Sequence, residues 1–249
     1  MNRLRLHVIA CRVFERELEV LAPNAKAELY LHYVEIGLHQ KPGEYLRAAL
    51  QEAINTVPED DFDAVAVVYG LCNRGIIGLH ARTLPVTIPR AYDCLSLLLG
   101  SSERYLNEFH KIETYFQSSG WIEHLPPDGL LRPLANRMGA DFSKEQQELV
   151  ARYGEENARF LNEEFRKLTR NYQRLGLIST PVAGMESREQ RAREIARQRG
   201  WNFERIPGDL SWLRRLLDGE WNEREFLLLK PHERVALRYD EQLIRAEKV

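Results

Sequence analysis

The stretch TLPVTIPRAYDCLSLLLGSSERY, residues 83–105, has the pattern of a strand, a turn and a helix. Residues 85–88 form a short run rich in β-branched side chains, and Pro89 ends it in extended geometry. The apolar run at 95–99 and the glycine after it are typical of a short helix and its end. The turn between them carries three reactive side chains, Arg90, Asp93 and Cys94. Open α/β sheets place their chemistry at such turns, so the stretch predicts where a functional site lies.

Strand and helix patterns alternate along the rest of the chain. The run AVAVVY at 64–69 is apolar without alternation, as central strands buried on both faces are. Other strand patterns occupy residues 4–10, 28–36, 84–88, 175–180, 201–206 and 225–229. Helical spacing is present at 14–21, 45–55, 103–115 and 187–199. Such alternation predicts an α/β fold, with a mostly parallel layered sheet and helices on both faces.

Composition and weak internal similarity predict how this fold is divided. Residues 1–120 form a first α/β half with the site, 121–174 a linker with charged helices, and 175–249 a second α/β half. The pattern Tyr-x-x-x-Gly-Leu recurs at 33–38 and 172–177, which favours two similar Rossmann-like halves. The polar end of the chain is expected to be loose.

Charge and hydropathy exclude several classes of protein. The 249 residues carry a net charge of −2 and a pI near 6.4, whereas nucleic-acid binders usually have a basic domain. There is no run of about 18 apolar residues, so we expect no membrane span. The N-terminus enters a strand pattern directly and lacks a signal peptide, which favours a cytoplasmic protein. The odd number of cysteines, three, argues against a disulfide framework.

All three cysteines fall where a strand is expected to end or the next helix to begin. Because the carboxyl ends of parallel strands share one edge of a sheet, Cys11, Cys72 and Cys94 are expected to meet there. Three thiolates form a soft site suited to zinc, the preferred metal, or to an iron–sulfur cluster, with one position open. The alternative is that each cysteine is a small buried hydrophobic residue.

Asp93 and Arg90 are the candidate catalytic residues. Asp93 would accept a proton or hold a metal-bound water, and its alternative role is to cap the helix that follows. Arg90 would bind a carboxylate or phosphate, or else pair with Asp93 structurally.

The loop GLCNRGIIG, residues 70–78, is a candidate anion site without a recognised phosphate-binding motif. It lacks the Gly-Lys-Ser/Thr end of a P-loop and the GxGxxG spacing, but its backbone could form an anion nest. The candidate cofactor-binding residues are Gly70, Asn73, Arg74 and, beyond the helix, Ser101.

These residues together resemble a family catalogued as domain of unknown function 1638. The similarity covers most of the chain and consists of Cys11, then Tyr-Gly-Leu-Cys at 69–72, then Pro-Arg-Ala-Tyr-Asp-Cys at 89–94 with Leu-Leu-Gly-Ser at 98–101. The family pattern has histidine where this chain has Tyr92. The resemblance implies that Cys11, Cys72, Arg90, Asp93 and Cys94 belong to a shared site. It also implies a link with corrinoid methyl transfer, in whose gene context such proteins occur.

Two functional hypotheses and a third, structural one follow. The first is a cytoplasmic enzyme of the zinc-thiolate methyltransferase type in one-carbon metabolism, in which Asp93 and Arg90 orient a small-molecule substrate. The second is a non-catalytic accessory protein that binds a cobamide or other small ligand and serves a corrinoid or methyltransferase partner. The third is a purely structural or interaction protein.

Overall fold

The computed structural model describes residues 3–109, 114–124, 150–151, 153–160 and 172–249. In these residues the strands are β1 (Arg5–Cys11), β2 (Glu28–Val34), β3 (Ala64–Val68), β4 (Val86–Pro89), β5 (Thr114–Gln117), β6 (Arg174–Ser179), β7 (Asn202–Pro207), β8 (Phe226–Leu229), β9 (Glu233–Leu237) and β10 (Ile244–Lys248). The α-helices are α1 (Glu15–Leu21), α2 (Gly43–Asn55), α3 (Cys94–Leu99), α4 (Ser102–Phe109), α5 (Ser119–His124), α6 (Met185–Arg199) and α7 (Ser211–Leu217). The α/β class predicted from the sequence is therefore confirmed.

The first sheet has five strands in the order β2-β1-β3-β4-β8. Its first four strands are parallel, as expected, whereas β8 pairs with β4 in the antiparallel direction and makes the sheet mixed. The two central strands β1 and β3 are apolar because helices or loops cover both of their faces, and all five residues of β3 are buried. The carboxyl ends of β1, β3 and β4 therefore lie at one edge.

The second sheet consists of β5, β6 and β7 in that order, all parallel. Its first strand corrects the sequence analysis, which predicted one helix over residues 103–115. Helix α4 ends at Phe109, and Thr114–Gln117 is extended because it pairs with β6, a partner about 60 residues away in the chain.

Sheet membership crosses the predicted domain boundaries. Strand β5 lies within residues 1–120 but belongs to the second sheet, and β8 lies within 175–249 but belongs to the first. Most of the predicted linker, 121–174, lies outside the described residues, although residues 150–151 and 153–160 are helical.

The C-terminal segment is more ordered than its polar sequence indicates. Strands β9 and β10 form an antiparallel hairpin that contacts the first sheet. The guanidinium of Arg90 fastens this hairpin, because it donates to the backbone carbonyls of Gln242 and Ile244. These bonds place the end of the chain beside the turn that follows β4.

The two sheets are joined through α1 and α5. A side chain at Gly120 would place its Cβ 1.9 Å from the carbonyl oxygen of Val13, so glycine permits this close approach. Beside it, the buried carboxylate of Glu17 accepts hydrogen bonds from the hydroxyls of Ser119 and Thr180, which follow β5 and β6.

Among the described residues, no helix combines the length and the apolar character that crossing a membrane requires.

Candidate functional site

The site is built where the loop after β3 runs beside the turn after β4. Two backbone hydrogen bonds join them, from Leu71 N to Ala91 O at 2.9 Å and from Cys72 N to Tyr92 O at 3.3 Å. Gly70 permits this pairing, because a Cβ there would lie 2.6 Å from the backbone nitrogen of Asp93. Two segments distant in sequence are thus held side by side at the edge of the sheet.

This edge brings the three cysteine thiols together. Cys11 ends β1, Cys72 lies in the loop after β3, and Cys94 begins α3; all three are buried and no disulfide joins them. Burial raises the pKa of Cys11 to about 11. Burial also raises the pKa of Cys72 and of Cys94, with further increases from Asp93 and from the other thiols. Each thiol therefore lies within electrostatic reach of another.

The chemistry of the three thiols suits a metal ion, whereas the positions of the described side chains do not match a single-ion site. Three thiols whose pKa burial raises would be strongly stabilised as thiolates by a soft metal. Within the described part of the chain, however, no group of three or more His, Cys, Asp or Glu side chains is arranged to hold a metal ion. The thiols thus suit a soft metal chemically, but as they stand they are not gathered around a single ion.

Asp93 is the N-cap of α3 and also a member of the thiol site. Its Oδ1 accepts a hydrogen bond from the backbone N–H of Ser96, and its own backbone N–H donates to the Ser96 hydroxyl; this reciprocal pair is a capping box. Its Oδ2 accepts from the hydroxyl of Tyr105 at 2.8 Å. Burial raises the pKa of Asp93 although these hydrogen bonds oppose the increase. The capping role is therefore observed, and the carboxylate also faces the thiols.

The site also contains two tyrosines that the sequence analysis did not list among the candidate site residues. Tyr69, which follows β3 directly, is buried and interacts with the thiol of Cys11. Tyr105 lies in α4 and stacks on Tyr92 with ring centroids 5.5 Å apart and planes 20° apart. The position of Tyr69 at a strand end was a usable signal, whereas that of Tyr105 depends on how α4 folds back on α3.

Arg90 has a different setting from the one predicted. It is 9% exposed, and it donates from Nε to the carbonyls of Glu223 and Phe226 and from Nη1 to those of Gln242 and Ile244. These bonds anchor the C-terminal segment to the turn after β4. Asp93 is not among the hydrogen-bond partners of Arg90. Arg90 nevertheless is one of the residues that line an open cleft.

The candidate cofactor-binding residues are divided between two places. Asn73 and Arg74 are exposed, both with positive φ, in a loop whose Asn73 side chain donates to the carbonyl of Lys41. This loop packs on the start of α2, since a Cβ at Gly43 would lie 2.3 Å from the Asn73 carbonyl oxygen. Ser101, in contrast, accepts from the backbone of Arg104 and lines the cleft.

The cleft lies beside the thiol site and has a volume of about 1070 Å³. Its wall includes Arg90, Tyr92, Ser101, Leu106 and Trp212. Because Tyr92 stacks on Tyr105, and Tyr105 binds Asp93, one layer of aromatic side chains connects the cleft with the cysteines.

Comparison with known proteins identifies the family but no characterised relative. Residues 33–217 match the family described as "Protein of unknown function (DUF1638)", and the chain belongs to this family. The match includes Cys72, Asp93 and Cys94 and begins after Cys11. No curated protein and no solved structure matched the chain.

Proposed function

We propose that this member of the family is a cytoplasmic enzyme of methyl-transfer or one-carbon metabolism whose three cysteines hold a thiolate-bound metal centre. The observation that carries the proposal is the convergence of three buried thiols from β1, the β3 loop and α3 at one sheet edge. A reducing cytoplasm would keep such thiols available. The link with methyl transfer is supported by the resemblance to corrinoid-associated proteins alone, and so are a cobamide and a corrinoid or methyltransferase partner.

Of the two metal centres, we propose an iron–sulfur cluster rather than a single zinc ion. Tetrahedral zinc at about 2.3 Å from each sulfur would hold the sulfurs about 3.8 Å apart. The described side chains do not converge in this way on one ion. In a four-iron cluster each thiolate binds a different iron, so the sulfurs need not meet, and three ligands leave one iron open. Cys11, Cys72 and Cys94 would be those ligands.

The remaining residues would set the environment of the centre. Its open position would supply a Lewis-acid site for a substrate thiol or a methyl donor. Asp93 would accept or return a proton at Oδ2, where the Tyr105 hydroxyl orients it. The Tyr92–Tyr105 stack would exclude bulk water from the thiols. We also include in the proposal that the two sheets and their helices are similar Rossmann-like halves.

A second candidate function is a ligand-binding accessory protein without turnover. The large cleft beside Tyr92 favours it, because its volume suits a bound small molecule or part of a cofactor. In that case the cysteines would be buried hydrophobic residues and the cleft alone would carry the function.

Anaerobic purification followed by iron, sulfide and zinc analysis tests the first proposal. We expect close to one centre per chain in the wild type and less than about a tenth of that in Cys94→Ser, because loss of one of three ligands removes most of the affinity. Ala91→Ser is the matched control, since it adds a hydroxyl to the same buried turn and leaves the thiols in place. Wild-type protein with less than about a tenth of an equivalent of any transition metal would contradict the metal centre.

A further inference from the structure

Arg90 carries a buried positive charge, and no carboxylate of the described residues contacts it. Among the described residues its hydrogen-bond partners are four backbone carbonyls, and no carboxylate forms an ion pair with it. Asp240 and Glu223 act on it only through space. Buried charges in proteins are normally paired because an unpaired one is costly, so a ligand that supplies the counter-charge missing from the described residues would stabilise Arg90. Its Nη2 makes no hydrogen bond to the part of the chain that is described.

A second polar group in the same wall has no hydrogen-bond partner in the described part of the chain. Trp212 lines the cleft with Arg90, is 3% exposed, and its indole Nε1 has no acceptor among the described residues. Trp221 provides a contrast, because its indole donates to the carbonyl of Leu216 at 2.8 Å. An unsatisfied buried donor costs free energy that a ligand acceptor would recover.

We infer that this cleft binds a small organic carboxylate, with Arg90 as its counter-charge and the indole N–H of Trp212 as a hydrogen-bond donor to it. The volume of about 1070 Å³ accommodates a molecule with an apolar body beside its carboxylate. Tyr92 and Leu106 would contact that body. That this carboxylate is a substrate rests on the proposed enzyme function. Its binding to the cleft requires no metal centre.

The other charges of the cleft select a monoanion. Arg215 in the wall is already neutralised by a two-fold hydrogen bond to Glu225. Glu103, Glu223 and Glu241 are exposed at the rim together with one cation, Arg224, so the rim carries more negative than positive charge, screened by solvent and salt. Because like charges repel, the rim carboxylates weaken the binding of a highly charged ligand such as phosphate more than that of a ligand with one negative charge. A single carboxylate neutralises the charge of Arg90 and is only weakly repelled by the carboxylates at the rim.

The test compares benzoate with its neutral analogue benzamide and with inorganic phosphate. Calorimetric titration of purified wild type, Trp212→Phe and Trp221→Phe measures the dissociation constants. A parallel ¹⁵N spectrum of the wild type follows the indole resonances, and the resonance absent from Trp212→Phe identifies Trp212. We expect benzoate to bind the wild type and to shift the Trp212 indole. Trp212→Phe should bind it about tenfold more weakly, because a hydrogen bond to a charged acceptor is lost. Trp221→Phe should bind it as the wild type does.

Several results would overturn the inference. Benzamide binding as tightly as benzoate would remove the role of charge, and phosphate binding more tightly would replace the carboxylate class. An unchanged dissociation constant in Trp212→Phe would show that the indole does not bind the carboxylate. No binding of benzoate up to about 20 mM would show that the cleft is not a carboxylate site. If Trp212→Phe does not fold, Trp121→Phe, Trp201→Phe and Trp221→Phe identify the other three indole resonances and leave that of Trp212, and its shift with benzoate but not with benzamide decides. Metal content is measured on the same samples, so failure of this site and failure of the metal centre are read separately.

Discussion

The pH dependence of stability in the metal-free protein tests whether the three cysteines are buried together as thiols. The folded-state pKa of each thiol is raised above its unfolded value of 9.0. Below pH 9 both states hold these protons. Above pH 9 the unfolded chain releases them while the folded protein retains them, so the free energy of unfolding falls. Each thiol contributes about 1.4 kcal/mol per pH unit until its folded pKa is reached.

The magnitude follows from the number of thiols. Between pH 9.5 and 10.5 we expect the three together to lower the free energy of unfolding by about 4 kcal/mol, and the two left in Cys94→Ala by about 3 kcal/mol. Tyrosines also titrate in this range, but they are common to both proteins and cancel in the comparison. Urea unfolding with a chelator and a reductant at several values of pH gives both slopes.

Val68→Ala is the matched control for this experiment. It removes buried methyl groups at the end of β3 and costs about 1–3 kcal/mol, similar to the loss of a buried sulfur, yet it keeps every thiol. Its slope should equal that of the wild type. Equal slopes for the wild type and Cys94→Ala would refute the reasoning, because Cys94 would then ionise alike in the folded and unfolded states.

Three further outcomes follow from single contacts. Gly70→Ala should lower the free energy of unfolding by about 1–3 kcal/mol in urea titrations, because its methyl group would meet the backbone of Asp93; an unchanged midpoint would contradict this close approach. Tyr105→Phe should cost about 1 kcal/mol or more by the same measurement, since Asp93 loses a hydrogen bond; wild-type stability would show that the bond contributes nothing. Burial raises the pKa of Glu17 above its usual 4.5, so wild-type stability is lost as the pH rises through the folded value. Glu17→Gln should therefore gain stability relative to the wild type between pH 4 and pH 8, and a difference independent of pH would contradict the raised pKa.

The central strands were predictable because their signal is local. Strands β1 and β3 are buried on both faces, so their apolar runs identify them without knowledge of their partners. The edge position of the three cysteines then follows from parallel pairing alone. Strand β5 was missed because four residues carry too little pattern, and their extended conformation depends on pairing with β6.

The setting of Arg90 could not be predicted from its neighbours in sequence. The farthest carbonyls that hold it, those of Gln242 and Ile244, lie 152 and 154 residues away, in a hairpin whose polar sequence indicated a loose end. The contact between Tyr105 and Asp93 likewise depends on the fold of α4 against α3. Such contacts are decided by tertiary packing, which overrides the local pattern on which sequence analysis relies.

The most direct test of the central claim is an anomalous difference map from crystals grown without oxygen, recorded at the iron edge and at the zinc edge. The proposed centre predicts one strong peak at the edge of the first sheet, with the sulfurs of Cys11, Cys72 and Cys94 as its ligands. Absence of any peak there, with sulfur atoms separated by more than about 15 Å, would contradict it, because no metal centre of three thiolates spans that distance.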